Sequence, residues 1–373
     1  MNKKLIVLLF SIFLDILGFS FILPIIPFII EGFGGNSFTI GLIISATAIG
    51  MFLGGIIFGK LSDKFGRKNI LIFTILLNII GYLIFGFSSN IYIFFIARFL
   101  CGLGGGGVSV VQAYISDISN DDERIVNMGY IGASIGLGFT LGPIFGTLLS
   151  GKDLKQMGFI SAFILSLSLI SVVIFLTNSK PDHAKEEKLS IKGSSINLLS
   201  LFVTFFGVTA TFAGIQTIFA LFLNNIFALN TKQIGLTFGY IGIIAIIYQI
   251  LFIKHVYRKI GEIKMIIAGL VLISIGLFAI GLNSNIYLLY FILIIFTVGL
   301  SNTNSAIYSL ITHYSHKKDF GKNLGLNTAF GSMADIAGPL VAGTLYLIGK
   351  NLPFYFFGVL LILNIFFLLR LKK

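Results

Sequence analysis

The chain has 373 residues, of which 56% are hydrophobic and only 11% charged, with a mean hydropathy of +1.01; this excludes a soluble globular domain and points to a membrane protein. A net charge of +12 would suit nucleic acid only if the basic residues clustered on one surface, so their placement along the chain decides what the sum means. The single cysteine, Cys101, lies inside an apolar run, which leaves no disulfide framework, no cysteine metal pair and no redox chemistry.

Apolar runs of about 20 residues, each long enough to cross a ~30 Å hydrocarbon core as a helix, recur along the chain. They predict twelve spans, at 5–29, 38–59, 69–88, 90–115, 126–149, 157–177, 198–223, 232–253, 264–283, 286–312, 322–347 and 353–371. The opening "MNKKLIVLLF" starts like a secretory signal, but its apolar run passes Phe28, contains Asp15 and shows no small-residue cleavage site. It is therefore kept as the first span.

Between the second and third spans, "GKLSDKFGRK" (Gly59–Lys68) concentrates five charges in ten residues. Asp63 and Arg67 are four apart where the third helix is expected to begin, so they can pair, and the carboxylate suits a helix N-terminus. Asp117 ends the fourth span on the same face and can join them. Lys60, Lys64 and Lys68 are explained as topology anchors. With the N-terminus inside, the outer loops hold only Lys152, Lys155, Lys232 and Lys350, Arg98 falls within a span, and the other 21 of 26 basic residues face the cytoplasm. This bias predicts a multi-pass protein of the plasma (inner) membrane with both termini cytoplasmic, and no nucleic-acid partner.

Three charges fall inside spans: Asp15 midway in the first, Arg98 in the outer part of the fourth, and Asp335 midway in the eleventh. A charge at a helix centre costs about 2.5 to 3.5 kcal/mol on insertion scales, so each calls for a partner or a function. Neutralising an acid with a proton removes most of that cost, which makes Asp15 or Asp335 a natural proton carrier, with Arg98 tuning it. A static pair of Asp15 with Arg98 is the alternative.

The polar stretch Thr177–Asn197 reads as a cytoplasmic linker joining a bundle at 1–176 to a second at 198–373. The halves repeat at an offset of about 195 residues: "SNIY" recurs at 89 and 284, "TIGL" at 39 pairs with "QIGL" at 233, "NMG" at 127 with "NLG" at 323, and Gly142-Pro143 with Gly338-Pro339. "DKFGRK" at 63 lines up with "RKIGEI" at 258. The expected fold is an all-α polytopic membrane protein, twelve transmembrane helices in two pseudo-symmetric six-helix bundles.

Gly59, Leu61, Asp63, Gly66, Arg67 and Lys68 fit the pattern G-x-L-x-D-x-x-G-R-K, and with it the chain resembles a major facilitator superfamily transporter of the twelve-helix drug:proton antiporter branch. "LDILGFSFILPIIP", "ARFLCGLGGGGVSVVQAYISD" and "NDDER" are similar to tetracycline efflux proteins. The resemblance implies that Asp63, Arg67 and Asp117 tie helices together on the cytoplasmic side in one state and release them in the other. "GFTLGPIFGT" resembles the antiporter motif of the fifth helix, carried here by Gly138, Gly142, Pro143 and Gly146. Its glycines share one face, a candidate sliding contact between halves, and Pro143 loosens the helix. Where tetracycline exporters carry further intramembrane acids, this chain has Gly81 and Ile273.

Polar and aromatic positions at helical spacing are candidates for the substrate cavity: Ser109 and Gln112 with Arg98 on helix 4, Thr209, Phe212 and Gln216 on helix 7, and Asn302, Asn304 and Tyr308 on helix 10. "GLGGGG" (Gly102–Gly107) follows no strand, so it reads as tight packing rather than a nucleotide loop. His313 and His316 have no further ligand in sequence, and no metal site is expected. The expected function is export of small amphiphilic compounds in exchange for protons, by alternating access. The alternatives are an uptake carrier or facilitator with the same fold, and a non-transporting receptor or scaffold. The last would need a larger soluble domain than the linker provides. No nucleophile-base pair supports an enzyme. The partners expected are the substrate, protons and the bilayer, with no obligate protein partner and no cofactor; a tetracycline-like substrate would travel as a magnesium chelate.

Overall fold

The structure, a computed structural model, describes residues 3–149, 154–178, 196–315 and 320–368. Residues 179–195 of the expected linker, with Lys152 and His316, lie outside the described residues. A chain this apolar has to satisfy its backbone within each segment, and all regular structure among the described residues is helical. In order the helices are α1 (Lys3–Ile22), α2 (Ile26–Gly32), α3 (Ser37–Phe65), α4 (Arg67–Gly86), α5 (Ile91–Gly105), α6 (Gly107–Asp117), α7 (Asp121–Leu149), α8 (Leu154–Phe175), α9 (Ile196–Phe227), α10 (Thr231–Leu251), α11 (Ile253–Ile260), α12 (Glu262–Leu282), α13 (Ile286–Tyr314), α14 (Phe320–Ile348) and α15 (Leu352–Leu368). Taking α5 with α6 as one segment, 11 are long and apolar enough to span a membrane, and α15 adds a shorter apolar helix among the described residues. Large apolar side chains such as Phe163, Ile174 and Ile250 stand on the outer surface, where lipid rather than water suits them.

Several expected spans are broken or displaced. The first is two helices: Pro24 has no N–H to donate, the chain turns with Ile25 N donating to Ile22 O at 2.9 Å, and α2 restarts with Pro27 in its first turn. The second runs past residue 59 to Phe65, so Asp63 closes α3 instead of opening the next helix, a correction to the expected position of its carboxylate. Gly66, at φ +94°, makes the break and caps α4. The fourth is offset at Gly106, where a Cβ would run into the backbone of Gly54 and Gly55; the glycine run 102–107 is there so that α3, α4 and the α5–α6 segment can touch backbone to backbone. Beyond the eighth span, α11 is a basic helix with no buried residue.

The chain divides into two compact units. Unit 1 comprises residues 1–35, 43–185 and 230–242, and in it α1 packs on α7 and α8, and α4 on α5 and α8. Unit 2 comprises 36–42, 186–229 and 243–373, and in it α9 packs on α14, and α12 on α13 and α15. Within unit 1, Gly235, Gly239 and Gly242 at the start of α10 press on Thr140, Pro143, Ile144 and Thr147 of α7. Within unit 2, Gly41 meets the carbonyl of Pro339, and Ser37 Oγ donates to Gly343 O at 2.9 Å. The two recurring sequence pairs, "IGL" and "GP", are thus each other's contacts.

The repeat extends to single hydrogen bonds. Asn90 and Asn285, both in "SNIY", cap α5 and α13 by accepting the backbone N–H groups two and three residues ahead. Asn127 Nδ2 donates to Ser119 Oγ at 2.8 Å, and Asn323 Nδ2 to Ser315 Oγ at 2.8 Å. Gly66 and Gly261 cap α4 and α12 at φ +94° and +74°. An L-residue in that region costs about 1 to 3 kcal/mol. Gly66→Ala is expected to destabilise the purified protein more than Gly261→Ala, because an added Cβ meets Asn178 at the first site and open space at the second; thermal unfolding of both variants in the same detergent tests this.

Candidate functional site

Asp15 lies at mid-length in α1, in a helix otherwise made of Leu, Ile, Val, Phe, Ser and Gly around it. Its Oδ1 accepts a 2.5 Å hydrogen bond from Asn78 Nδ2 on α4. Both side chains line a cavity of about 10 Å³ together with Ser11, Thr74, Gly104, Gly107 and apolar neighbours, a volume that admits one water molecule. Beside it Ser11 and Ser168 share a 2.7 Å hydrogen bond that ties α1 to α8. Asn78 was not singled out from sequence. Its signal was an amide in an otherwise apolar run, but only the fold sets it opposite an acid 63 residues away.

Arg98, on α5, is fully buried and makes no ion pair with Asp15. Its guanidinium lies 5.2 Å from the centre of the Phe19 ring, a cation–π contact. The Tyr82 hydroxyl is beside it, within electrostatic reach but outside hydrogen-bond geometry. The static Asp15–Arg98 pair is therefore absent: the aromatic face of Phe19, not a carboxylate, meets the cation.

At the far end of the same unit Arg67 gathers the loop charges. Its Nη1 is 2.6 Å from Asp63 Oδ1, its Nε donates to Asp117 Oδ2 at 2.8 Å, and its Nη1 donates to Ser62 Oγ at 2.6 Å. The Arg67 side chain is 7% exposed, so α3, α4 and α6 are joined through a nearly buried guanidinium. Lys68 Nζ donates to Val173 O at 2.8 Å, capping the C-terminal end of α8, and the Tyr114 hydroxyl donates to Thr177 O. In unit 2 the equivalent of Arg67 is Glu262, whose Oε1 accepts from Ser309 Oγ at 2.8 Å and from the Tyr257 hydroxyl at 3.2 Å. One half centres this corner on a cation, the other on an anion. That arrangement went unnoticed in the sequence although the repeat alignment already set Glu262 against Arg67.

The glycine face of α7 has an occupant within its own unit. Gly138, Gly142 and Gly146 lie against the α1 backbone at Ile16, Leu17, Ser20 and Phe21, and Ser20 Oγ donates to Gly138 O at 2.8 Å. These glycines were expected to form a sliding contact between halves; here they meet α1 of their own unit, where any side chain would force α1 away. Pro143 lies inside α7 on the side that meets Gly235.

The substrate-cavity candidates separate. Gln112 is exposed on α6, but Ser109 donates to Gly55 O at 3.0 Å and to Gly106 O at 2.8 Å, so it serves the α3 contact and does not share an open face with Arg98 and Gln112. On α9, Thr209, Phe212 and Gln216 lie on the one stripe that stays open along a mostly buried helix. Asn302 is buried and accepts the Tyr248 hydroxyl at 2.8 Å, whereas Asn304 and Tyr308 are exposed on the next face of α13. Asp335 is exposed on α14, within electrostatic reach of Tyr308, whose ring packs edge-on against Phe205 at 5.6 Å. Among the described residues no group of three His, Cys, Asp or Glu could hold a metal ion.

The profile of the Major Facilitator Superfamily matches residues 8–261 and 201–373. "Multidrug resistance protein 2" of Bacillus subtilis (strain 168) is 27% identical over 96% of this chain and 93% of its own length. "Tetracycline resistance protein, class H" of Pasteurella multocida is 26% identical over 93% of this chain and 90% of its own. The crystal structure of the human organic anion transporter MFSD10 (TETRAN) shares the fold, with a TM-score of 0.76 at 23% identity over 98% of this chain and 99% of that one. The internal repeat, the Arg67-centred loop motif and a profile match along nearly the whole sequence carry one conclusion: the chain belongs to the Major Facilitator Superfamily and is a multi-pass membrane transporter, not an enzyme.

Proposed function

We propose that this protein exports small amphiphilic compounds from the cytoplasm in exchange for protons, by alternating access, with both termini cytoplasmic. The observation that carries the proposal is Asp15: an acid at the centre of a transmembrane helix, hydrogen-bonded to a neutral amide and not neutralised by Arg98. A carboxylate held there without a counter-ion gains by taking a proton, and a carrier that crosses with the charge neutralised pays less than one that crosses charged. Asp335, exposed beside Tyr308 on α14, is the second candidate in unit 2. The names of the relatives, a multidrug and a tetracycline resistance protein, support a drug-like substrate. Gln112, Phe212, Gln216, Asn304 and Tyr308 offer aromatic and hydrogen-bonding groups of the kind an amphiphilic molecule uses. The Arg67 cluster acts as a latch, holding α3, α4 and α6 together in one state and parting in the other.

The test is proton movement in sealed inside-out vesicles containing the purified protein, under an imposed pH gradient, with a panel of compounds that includes tetracycline with magnesium. One or more compounds are expected to drain the gradient, and Asp15→Asn or Asp335→Asn to abolish the effect. Substrate crossing with no proton flux would instead identify a facilitator, and uptake in the opposite sense an importer.

A further inference from the structure

We infer that Asn78 is the positioning residue for the Asp15 proton: its amide nitrogen holds the ionised carboxylate, and its amide oxygen accepts the acid proton once the carboxylate is protonated. The inference deepens the proton-carrier proposal and rests on it. Asn78 is 3% exposed, its Nδ2 donates to Asp15 Oδ1 at 2.5 Å, and its Oδ1 is buried with no hydrogen-bond partner. A buried amide oxygen left unpaired has lost its hydration without gaining a replacement hydrogen bond, so it calls for an occasional partner. An ionised carboxyl cannot be that partner, because it only accepts; a protonated one carries the missing donor. A carboxylic acid and a primary amide can then pair through two hydrogen bonds, the Asn78 Nδ2 to Asp15 Oδ1 bond already present and a new one from Asp15 Oδ2 to Asn78 Oδ1. The proton stays on Asp15 Oδ2 throughout this exchange, and on release it goes to the cavity that both side chains line.

The surroundings hold the amide in place. A Cβ at Gly104 would lie 2.8 Å from both Cβ and N of Asn78, so the glycine run brings α5 directly against this residue. Among the described residues, the ionisable groups shown within electrostatic reach of Asp15 are Tyr82 on α4 and Cys101 on α5, and Arg98 acts on both of these. None of the three hydrogen-bonds the carboxyl, which leaves Asn78 as its direct partner.

Infrared titration of the purified protein tests the inference without requiring transport. The carboxylic C=O band of protonated Asp15, identified as the band lost in Asp15→Asn, is expected to move to higher wavenumber in Asn78→Leu, as an acid released from two hydrogen bonds does. In Asn78→Asp, which keeps the shape if the leucine variant fails to fold, two carboxyls share one proton, and a single titration step is expected to become two. An unmoved band in Asn78→Leu, or one unchanged step in Asn78→Asp, overturns the inference. The underlying proposal fails separately: if Asp15→Asn keeps proton-driven transport, Asp15 is not the carrier, whatever the infrared bands show.

Discussion

Asp15→Asn is expected to abolish uphill, proton-driven export while leaving the protein folded and able to exchange substrate for substrate. The replacement amide can still accept the Asn78 hydrogen bond through its oxygen, so the side-chain link from α4 to α1 survives, and Ser11 and Ser168 continue to tie α1 to α8. What is lost is titration, because an amide is neutral at every working pH and cannot bind a proton on one side and yield it on the other. Counterflow moves no net protons and isolates that loss. Uphill transport measured in vesicles should fall to the level of protein-free vesicles, while counterflow of labelled substrate persists. If both fall together the residue is needed for folding or binding, and if neither falls the carrier is elsewhere. Asp335→Asn, measured alongside, divides the role between the two acids.

Arg67→Ala is expected to give the largest loss of stability among substitutions in the charged motif at residues 59–68. Its guanidinium joins Asp63, Asp117 and Ser62, and truncation leaves two carboxylates without their cation. Breaking a buried pair costs about 3 to 5 kcal/mol, and exposure of Asp63 and Asp117, at 37% and 24% of the side chain, places the expected loss at the lower end. A double-mutant cycle sharpens the prediction. Coupling of Arg67 to Asp117, which crosses from α4 to α6, should exceed coupling to Asp63, which is the more exposed partner and a near neighbour in sequence. Thermal unfolding of the four proteins in each cycle measures it. Arg67→Lys should recover only part of the loss, because a single ammonium cannot reproduce the separate Nε and Nη1 contacts.

The absence of acids at Gly81 and Ile273 has a physical basis in the fold. A Cβ at Gly81 would come within 2.7 Å of Cys101 Sγ and 2.9 Å of its backbone nitrogen, and Ile273 is fully buried against Gly299. Both positions are spent on bringing helices into contact, so a carboxylate at either would have neither room nor water. The chain therefore keeps its intramembrane acids at Asp15 and Asp335.

Much of this molecule was legible in one dimension. Helix positions follow from apolar run length, because a bilayer of fixed thickness and a rise of about 1.5 Å per residue leave little freedom. The duplication follows from recurring capping and turn residues; Asn90 and Asn285, or Gly66 and Gly261, recur because the same backbone geometry demands the same residue type in both halves. Asp15, Arg98 and Asp335 stand out because charge is costly in an apolar run. The helix breaks were only partly readable. Pro24 announces the first, but nothing local separates the packing glycine Gly106 from those around it.

What the sequence by itself determined was therefore the membrane class, the number of spans, the two-fold repeat and the charges that need explaining, all of which depend on local composition and spacing. Only the tertiary structure decided which groups meet. It set Asn78 against Asp15, turned Arg98 to the Phe19 ring, gave Ser109 to Gly55, laid the α7 glycines on α1, and put an anionic corner at Glu262 opposite in character to Arg67. Those pairings depend on helix rotation and close approach between segments far apart in the chain, and a periodic pattern fixes the face of a helix without fixing what that face touches.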